Sequence, residues 1–251
     1  MAPNRLLPND GYRFAEGVYQ YSSGVSALPG FLMERAIFNE PIAFGAAAEA
    51  VERHLAAIGR PAAALCACEL RSPKAFTEEG FAAFNRHYVA TLERWGLVED
   101  GVNPVARTNV CPVLNPPTEV SMFAFCYTVP TSKAAVMTDF VVAGSAEVPE
   151  GRNNYKDHIV RPGDVSPDGV REKARWVLAE MERRMGAFGA NWRHATGTNL
   201  YTVHDTHPLI FDEIAKRGAM KNGLNWWLAV PPVVGLEYEM DVRRTSRETF
   251  I

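Results

Sequence analysis

Between Phe44 and Ile58 apolar side chains return every three or four positions, at Phe44, Ala47, Ala48, Val51, Leu55 and Ile58. That is the period of one face of an α-helix, and Gly59 directly after it is a stop signal. The period recurs from Thr77 to Trp95 through Phe81, Phe84, Tyr88, Leu92 and Trp95. It returns a third time up to Phe188 through Val170, Ala174, Val177, Leu178, Met181 and Met185, closed by Gly189. Ser166 before Pro167 is an N-cap followed by proline at the first helical position. The apolar runs between these helices are short and read as strands: Ala62–Leu70, Val105–Cys111, Ser121–Val129, Phe140–Ser145, Thr196–Val203, Trp226–Val230 and Leu236–Val242. A short helix is expected from His207 to Lys216, and the polar, Gly/Pro-punctuated stretch 151–167 reads as a loop.

The order of elements starts again after Pro130. Each half reads strand, long helix, strand, helix, strand, Pro-Pro turn, strand, with the turns at Pro116-Pro117 and Pro231-Pro232. The expectation is an α/β (α+β) protein of two similar halves, residues 1–132 and 133–251, each a mixed sheet packed on helices. The linker is expected within 130–138.

At 251 residues, 47% of them apolar and 22% charged, the chain has ample material for a buried core. Net charge is −3, and the densest basic stretch, Arg243, Arg244 and Arg247, is short, so nucleic acid is not an expected partner. The opening residues lack the apolar run of about 7–15 that a secretory leader needs. No run approaches the roughly 18 apolar residues of a membrane span, so a membrane partner is not expected either and the expected compartment is the cytoplasm. Cys66, Cys68, Cys111 and Cys126 lack zinc-ligand spacing and read as buried free thiols, with Cys66 and Cys68 on the same side of one strand.

Several local motifs resemble the RidA/YjgF (Rid) family of small trimeric proteins. Pro104-Val-Ala-Arg107-Thr-Asn-Val is similar to that family's Pro-Ala-Arg-Thr strand, Tyr19-Gln-Tyr21-Ser-Ser to its Pro-Tyr-Ser segment, and Asn85-Arg-His-Tyr88 to its Asn-x-x-Tyr helix start. Phe140-Val-Val-Ala-Gly-Ser resembles the strand ending in Ser-Gly-Gln, and Glu237-Tyr-Glu239-Met the closing Val-Glu-Ile-Glu strand. The resemblance implies two tandem Rid-like (chorismate mutase-like) units, a homotrimer, and hydrolysis of an enamine or imine on a small carboxylate without metal or organic cofactor. It makes Arg107 the carboxylate clamp, places Tyr21 and Asn85 beside the ligand, and gives a glutamate the task of orienting water. The chain departs from the pattern in one respect. The first half carries Phe123 and Phe125 where the acidic pair belongs, and the second shows Trp226-Trp227 where the arginine belongs. Either the halves share one composite site, or the site has been rebuilt for another reaction.

The residue types suit that chemistry. A guanidinium fork holds a carboxylate bidentately, and a carboxyl or carboxylate group positions and deprotonates a water for attack on the C=N carbon, a raised pKa suiting such an acid/base role. Arg107 fits the first role and Glu237 or Glu239 the second, although both glutamates also suit a solvated edge and Arg107 an ion pair. His204 is a candidate general base; Asp205 beside it also suits a helix cap. Glu69 and Arg71 either pair with each other or line a cleft. One ring of Trp226-Trp227 is expected to face outward, with Trp227 the candidate floor for a flat conjugated ligand; burial against another subunit explains an outward ring equally well. An aminomuconate-type intermediate of aromatic breakdown is the expected substrate. A lyase or hydrolase on a cyclic carboxylate, and a non-catalytic carboxylate-binding protein, are the alternatives.

Overall fold

The computed structural model describes residues 6–8, 10–132, 137–152 and 154–251. The expected linker therefore lies partly outside the described residues, at 133–136. The strands are β1 (Leu6–Pro8), β2 (Tyr12–Ala15), β3 (Gly24–Ala27), β4 (Phe31–Ala43), β5 (Leu65–Arg71), β6 (Ala106–Pro112), β7 (Ser121–Pro130), β8 (Phe140–Ala146), β9 (Gly197–Tyr201), β10 (Asn225–Trp227), β11 (Ala229–Val230), β12 (Glu239–Arg244) and β13 (Arg247–Phe250). The helices are α1 (Phe44–Ala57), α2 (Glu78–Arg94), α3 (Pro167–Ala187) and the single turn α4 (His207–Leu209), which runs on as a π-helical stretch, Ile210–Ala215.

Among the described residues the strands form two sheets, ordered β1-β2-β3-β8-β12-β9-β10 and β11-β6-β5-β7-β4-β13. Four consecutive strands of each follow one scheme. In the second sheet β5 is parallel to β6 and antiparallel to β7, and β7 is antiparallel to β4. In the first, β9 is parallel to β10 and antiparallel to β12, and β12 is antiparallel to β8. Neither sheet is built from one half of the chain. The β2–β3 hairpin extends the first sheet through β8, while β11 and β13 flank the second on β6 and β4.

The helices form where the apolar period places them. Thr77 and Ser166 cap α2 and α3 by accepting from the amides of Gly80 and Gly169. Gly59 and Gly189, at φ 70° and 71°, turn the chain out of α1 and α3. One core lies between α1, α2 and the second sheet (Val51, Leu55, Tyr88, Leu92, Phe125), another between α3 and the first sheet (Val177, Met181, Leu200, Met240). A third, with Tyr12, Val25, Met33, Cys66, Ala106 and Ala143, lies between the sheets. The layers thus run helix, sheet, sheet, helix.

Three expectations need correction. Cys66 and Cys68 do not face the same side: Cys66 packs between the sheets and Cys68 against the helices, because the register of β5 on β7 shifts between Leu65 and Ala67. All four cysteines are free and buried. The run Trp226–Val230 is not one strand. It divides at the exposed Leu228 into β10 in one sheet and β11 in the other. Glu237 is not in a strand, because the amides of Glu237 and Tyr238 donate to the Glu147 carboxylate at 2.6 and 3.0 Å rather than to a neighbouring strand, so β12 starts at Glu239. Among the described residues no helix is long and apolar enough to cross a membrane.

Candidate active site

The strand β6 runs from the inter-sheet core to a cleft between the two halves. Arg107 on this strand is 3% exposed. Its Nη1 donates to Asn85 Oδ1 on α2 at 2.8 Å, and its guanidinium carbon lies 4.8 Å from the Tyr88 ring centroid, 5.0 Å from that of Tyr21 and 5.5 Å from that of Phe81. No carboxylate among the described residues lies within ion-pair distance of it. Burial pulls the pKa of the guanidinium down, opposed by the fields of Tyr88, Tyr21, Cys68 and Glu239. A buried cation left without an anion is costly, and it is the state of a group whose partner is a ligand.

The cleft spans about 480 Å3, counting the space at its open mouth. Besides Arg107 and Tyr21 its walls are Phe81, Val148, Tyr155, Val233 and Leu236, and its polar groups include Ser145, Glu150 and Glu239. Hydrogen bonds between the halves hold these walls. The Phe76 amide donates to the Pro232 carbonyl at 2.7 Å and the Val234 amide to the Phe76 carbonyl at 2.9 Å; within the first half, the Ser22 amide donates to the Val105 carbonyl at 3.0 Å. The last of these fixes Tyr21 against the start of β6.

Glu239, the first residue of β12, is 4% exposed and its carboxyl group has no hydrogen-bond partner among the described residues. It lies over Gly144 of β8, where a Cβ would collide with Glu239 Oε1 and crowd Thr108. Burial drives its pKa well above the ordinary carboxylate value; Asp241 and Glu147 push the same way, against Arg107 and Arg184. Glu239 therefore holds its proton at pH values where an exposed glutamate has lost it. A proton donor and a guanidinium unpaired by any carboxylate among the described residues thus share one apolar-walled cleft.

The other sequence candidates are held elsewhere. Glu237 Oε2 is 2.6 Å from His204 Nε2, a partly exposed pair that does not line the cleft. Glu69 is gripped by Arg35 Nε and Nη2 at 2.6 and 2.8 Å. Its burial is outweighed by Arg35, which lowers its pKa to about 2. Arg71 lies 4.5 Å from the Phe123 ring centroid and 5.4 Å from that of Trp227, in a stack outside the cleft. The sequence reading thus brings together Arg107, Asn85, Tyr21 and Glu239, and separates off His204, Glu237, Glu69, Arg71 and Trp227. It missed Glu150, Ser145 and Tyr155. Glu150 and Tyr155 sit in or beside a stretch legible only as a loop, and the one available signal was Gly144, a glycine inside a strand, which marks a close approach. Among the described residues no group of three or more His, Cys, Asp or Glu side chains is placed to hold a metal ion.

The sequence profile of a family described as 2-aminomuconate deaminase CnbZ matches residues 5–249. The chain is 52% identical over 241 residues to 2-amino-5-chloromuconate deaminase of Comamonas testosteroni, covering 96% of each chain. A crystal structure of a chorismatase shares the fold at a TM-score of 0.52 and 11% identity, over 96% of this chain and 79% of that one.

Proposed function

The chain belongs to the 2-aminomuconate deaminase CnbZ family, and from that premise we propose that it hydrolyses the enamine of an aminomuconate-type dicarboxylate to a 2-oxo acid and ammonia. The observation that carries this reading is the cleft shared by an unpaired, buried Arg107 and a buried Glu239 of raised pKa. The repeated strand order of the two sheets supports a reading as two Rid-like units, one supplying the arginine and the other the glutamate.

In the proposed reaction Arg107 holds the carboxylate next to the reacting carbon, bidentately, while Asn85 fixes the guanidinium plane. The conjugated chain lies against Phe81, Val148, Val233 and Leu236. Glu239 gives its proton to C3 of the enamine. The C2–C3 π pair forms the new C–H bond, and the nitrogen lone pair forms C=N. Water then adds to C2, returning the C=N pair to nitrogen, and the Glu239 carboxylate takes the water proton. Glu239 passes that proton to the amine. The C–N bond breaks as the hydroxyl oxygen forms C=O, and its proton returns to Glu239. The sum is enamine plus water to oxo acid plus ammonia, with the glutamate restored. The work falls to a positioned acid/base and a carboxylate clamp, with side chains and water as the only reagents.

The test is ammonia release from 2-aminomuconate by the purified chain, measured against the loss of substrate absorbance. One ammonia per substrate consumed is expected. Tight binding of muconate with no ammonia above the buffer rate would leave a carboxylate-binding protein instead.

A further inference from the structure

Glu150 is a cleft residue that neither the carboxylate clamp nor the proton shuttle uses. It lies in the turn that follows β8 and lines the same cleft as Arg107 and Glu239. Its Oε1 is buried and makes no hydrogen bond. Arg184 Nη2 sits 2.9 Å from that oxygen, but at an angle that gives an ion pair and no hydrogen bond. Arg184 is itself held in place by three other groups: Glu180 Oε1 at 2.7 Å, Ser145 Oγ at 3.1 Å and the Ala143 carbonyl at 3.3 Å. Glu150 thus lines the cleft beside a rigid support that balances its charge and leaves Oε1 without a hydrogen bond. Its field also reaches both phenols of the cleft, raising the pKa values of Tyr21 and Tyr155 beyond what burial does.

Buried acceptors without donors are rare, and one placed in a ligand cleft is matched by a donor on the ligand. The dicarboxylate backbone of the substrate offers only acceptors. Its one set of N–H donors is the amino group on C2. We infer that Glu150 recognises that amino nitrogen, accepting its N–H and facing the positive charge that develops there when C3 is protonated. This rests on the deaminase reading of the cleft and adds the group that selects an amino substrate. A site built to accept N–H discriminates strongly against an analogue that lacks it, because the acceptor is then left unpaired. The same carboxylate stabilises the iminium more than the neutral enamine, so it acts on the rate as well as on binding.

The experiment compares wild type, Glu150→Gln and Glu150→Asp on two ligands: 2-aminomuconate as substrate and cis,cis-muconate, which has no amino group, as a titrated inhibitor. Arg184 keeps Glu180 in both variants, so the support survives. The expected result for Glu150→Gln is a fall in kcat/KM for 2-aminomuconate on the order of 100-fold, with the Kd of muconate unchanged or lower. Glu150→Asp, which keeps the charge but withdraws the oxygen by about one C–C bond, should fall between. Unchanged kcat/KM in Glu150→Gln beside an active wild type would overturn the inference alone, as would an equal loss on both ligands, which marks a merely structural role. A wild type that binds muconate but releases no ammonia would overturn the deaminase reading and this inference with it.

Discussion

Arg107 and Glu239 reach one cleft from different sheets: Arg107 stands on β6, within the six-stranded sheet, and Glu239 opens β12, within the seven-stranded one. The field of Glu239 is felt at Arg107, yet the two form no ion pair. Each remains in a state that costs stability, a cation without an anion and an acid without a partner. Four predictions follow from that arrangement.

Arg107→Met removes an unpaired buried charge and keeps the volume among the rings of Tyr21, Phe81 and Tyr88. Its effects on activity and stability should have opposite signs. KM for the dicarboxylate should rise about 100-fold, the worth of a bidentate charge-assisted pair. The denaturant midpoint should stay or increase, as happens when a strained functional group is replaced by an apolar one. Steady-state kinetics and urea unfolding of the same preparation check both.

Glu239→Gln should lower kcat by about 100-fold or more with little change in KM. The stability profile has a definite sign. Because the folded state holds the Glu239 proton more tightly than the unfolded chain, this group's contribution is full below the ordinary carboxylate pKa, near 4.3, and is lost as pH rises toward the raised folded value. Wild type should therefore lose stability relative to Glu239→Gln as pH increases across that window. Urea midpoints at a series of pH values read the difference, and a constant gap would rule it out.

Gly144→Ala tests the close approach of β8 to β12. The added methyl meets Glu239 Oε1 and, at 3.1 Å, Thr108. Since Gly144 has no positive φ, the strand's own conformation accepts alanine, and the cost falls first on the carboxyl group and then on Thr108, whose Cα lies 3.2 Å from the added methyl. A drop in kcat of about 10–100-fold with a near-native unfolding midpoint is expected, as for a catalytic group displaced by about 1 Å.

Lys173→Met acts at a distance. Lys173 and Glu147 are both fully buried, with Nζ 3.2 Å from Oε1, and Glu147 also accepts the amides of Glu237 and Tyr238 just before Glu239. Breaking the pair leaves an uncompensated buried charge, at a cost of about 3–5 kcal/mol in unfolding free energy. Hydrogen exchange should show faster opening at residues 237–238, and kcat should fall along with it.

The helices and the central strands were legible because their signal is local: a period, a cap, a glycine stop. Arg107, Asn85, Tyr21 and Glu239 were legible because each sits in a short motif. What the sequence hid is set by long-range pairing. The β4 strand carries Arg35 and Glu34 and shifts register between Ile37 and Ile42, so it shows no clean alternation. Arg35 is a core residue because Glu69 and Glu248, on two other strands, neutralise it. Likewise Lys173 and Arg184 lie on the buried side of α3 because Glu147, Glu150 and Glu180 meet them there. Glu150 sits in no sequence motif, and only the fold brings it to the cleft wall.

The most direct test of the shared cleft is a crystal structure with cis,cis-muconate bound. It should show one carboxylate on the Arg107 guanidinium and the Glu239 carboxyl group within about 3–3.5 Å of C3, the second carbon from that carboxyl carbon, as a near-attack arrangement requires. A dicarboxylate seated instead on Arg71 and Trp227, or bound to Arg107 with Glu239 turned away from its carbon chain, would contradict the account.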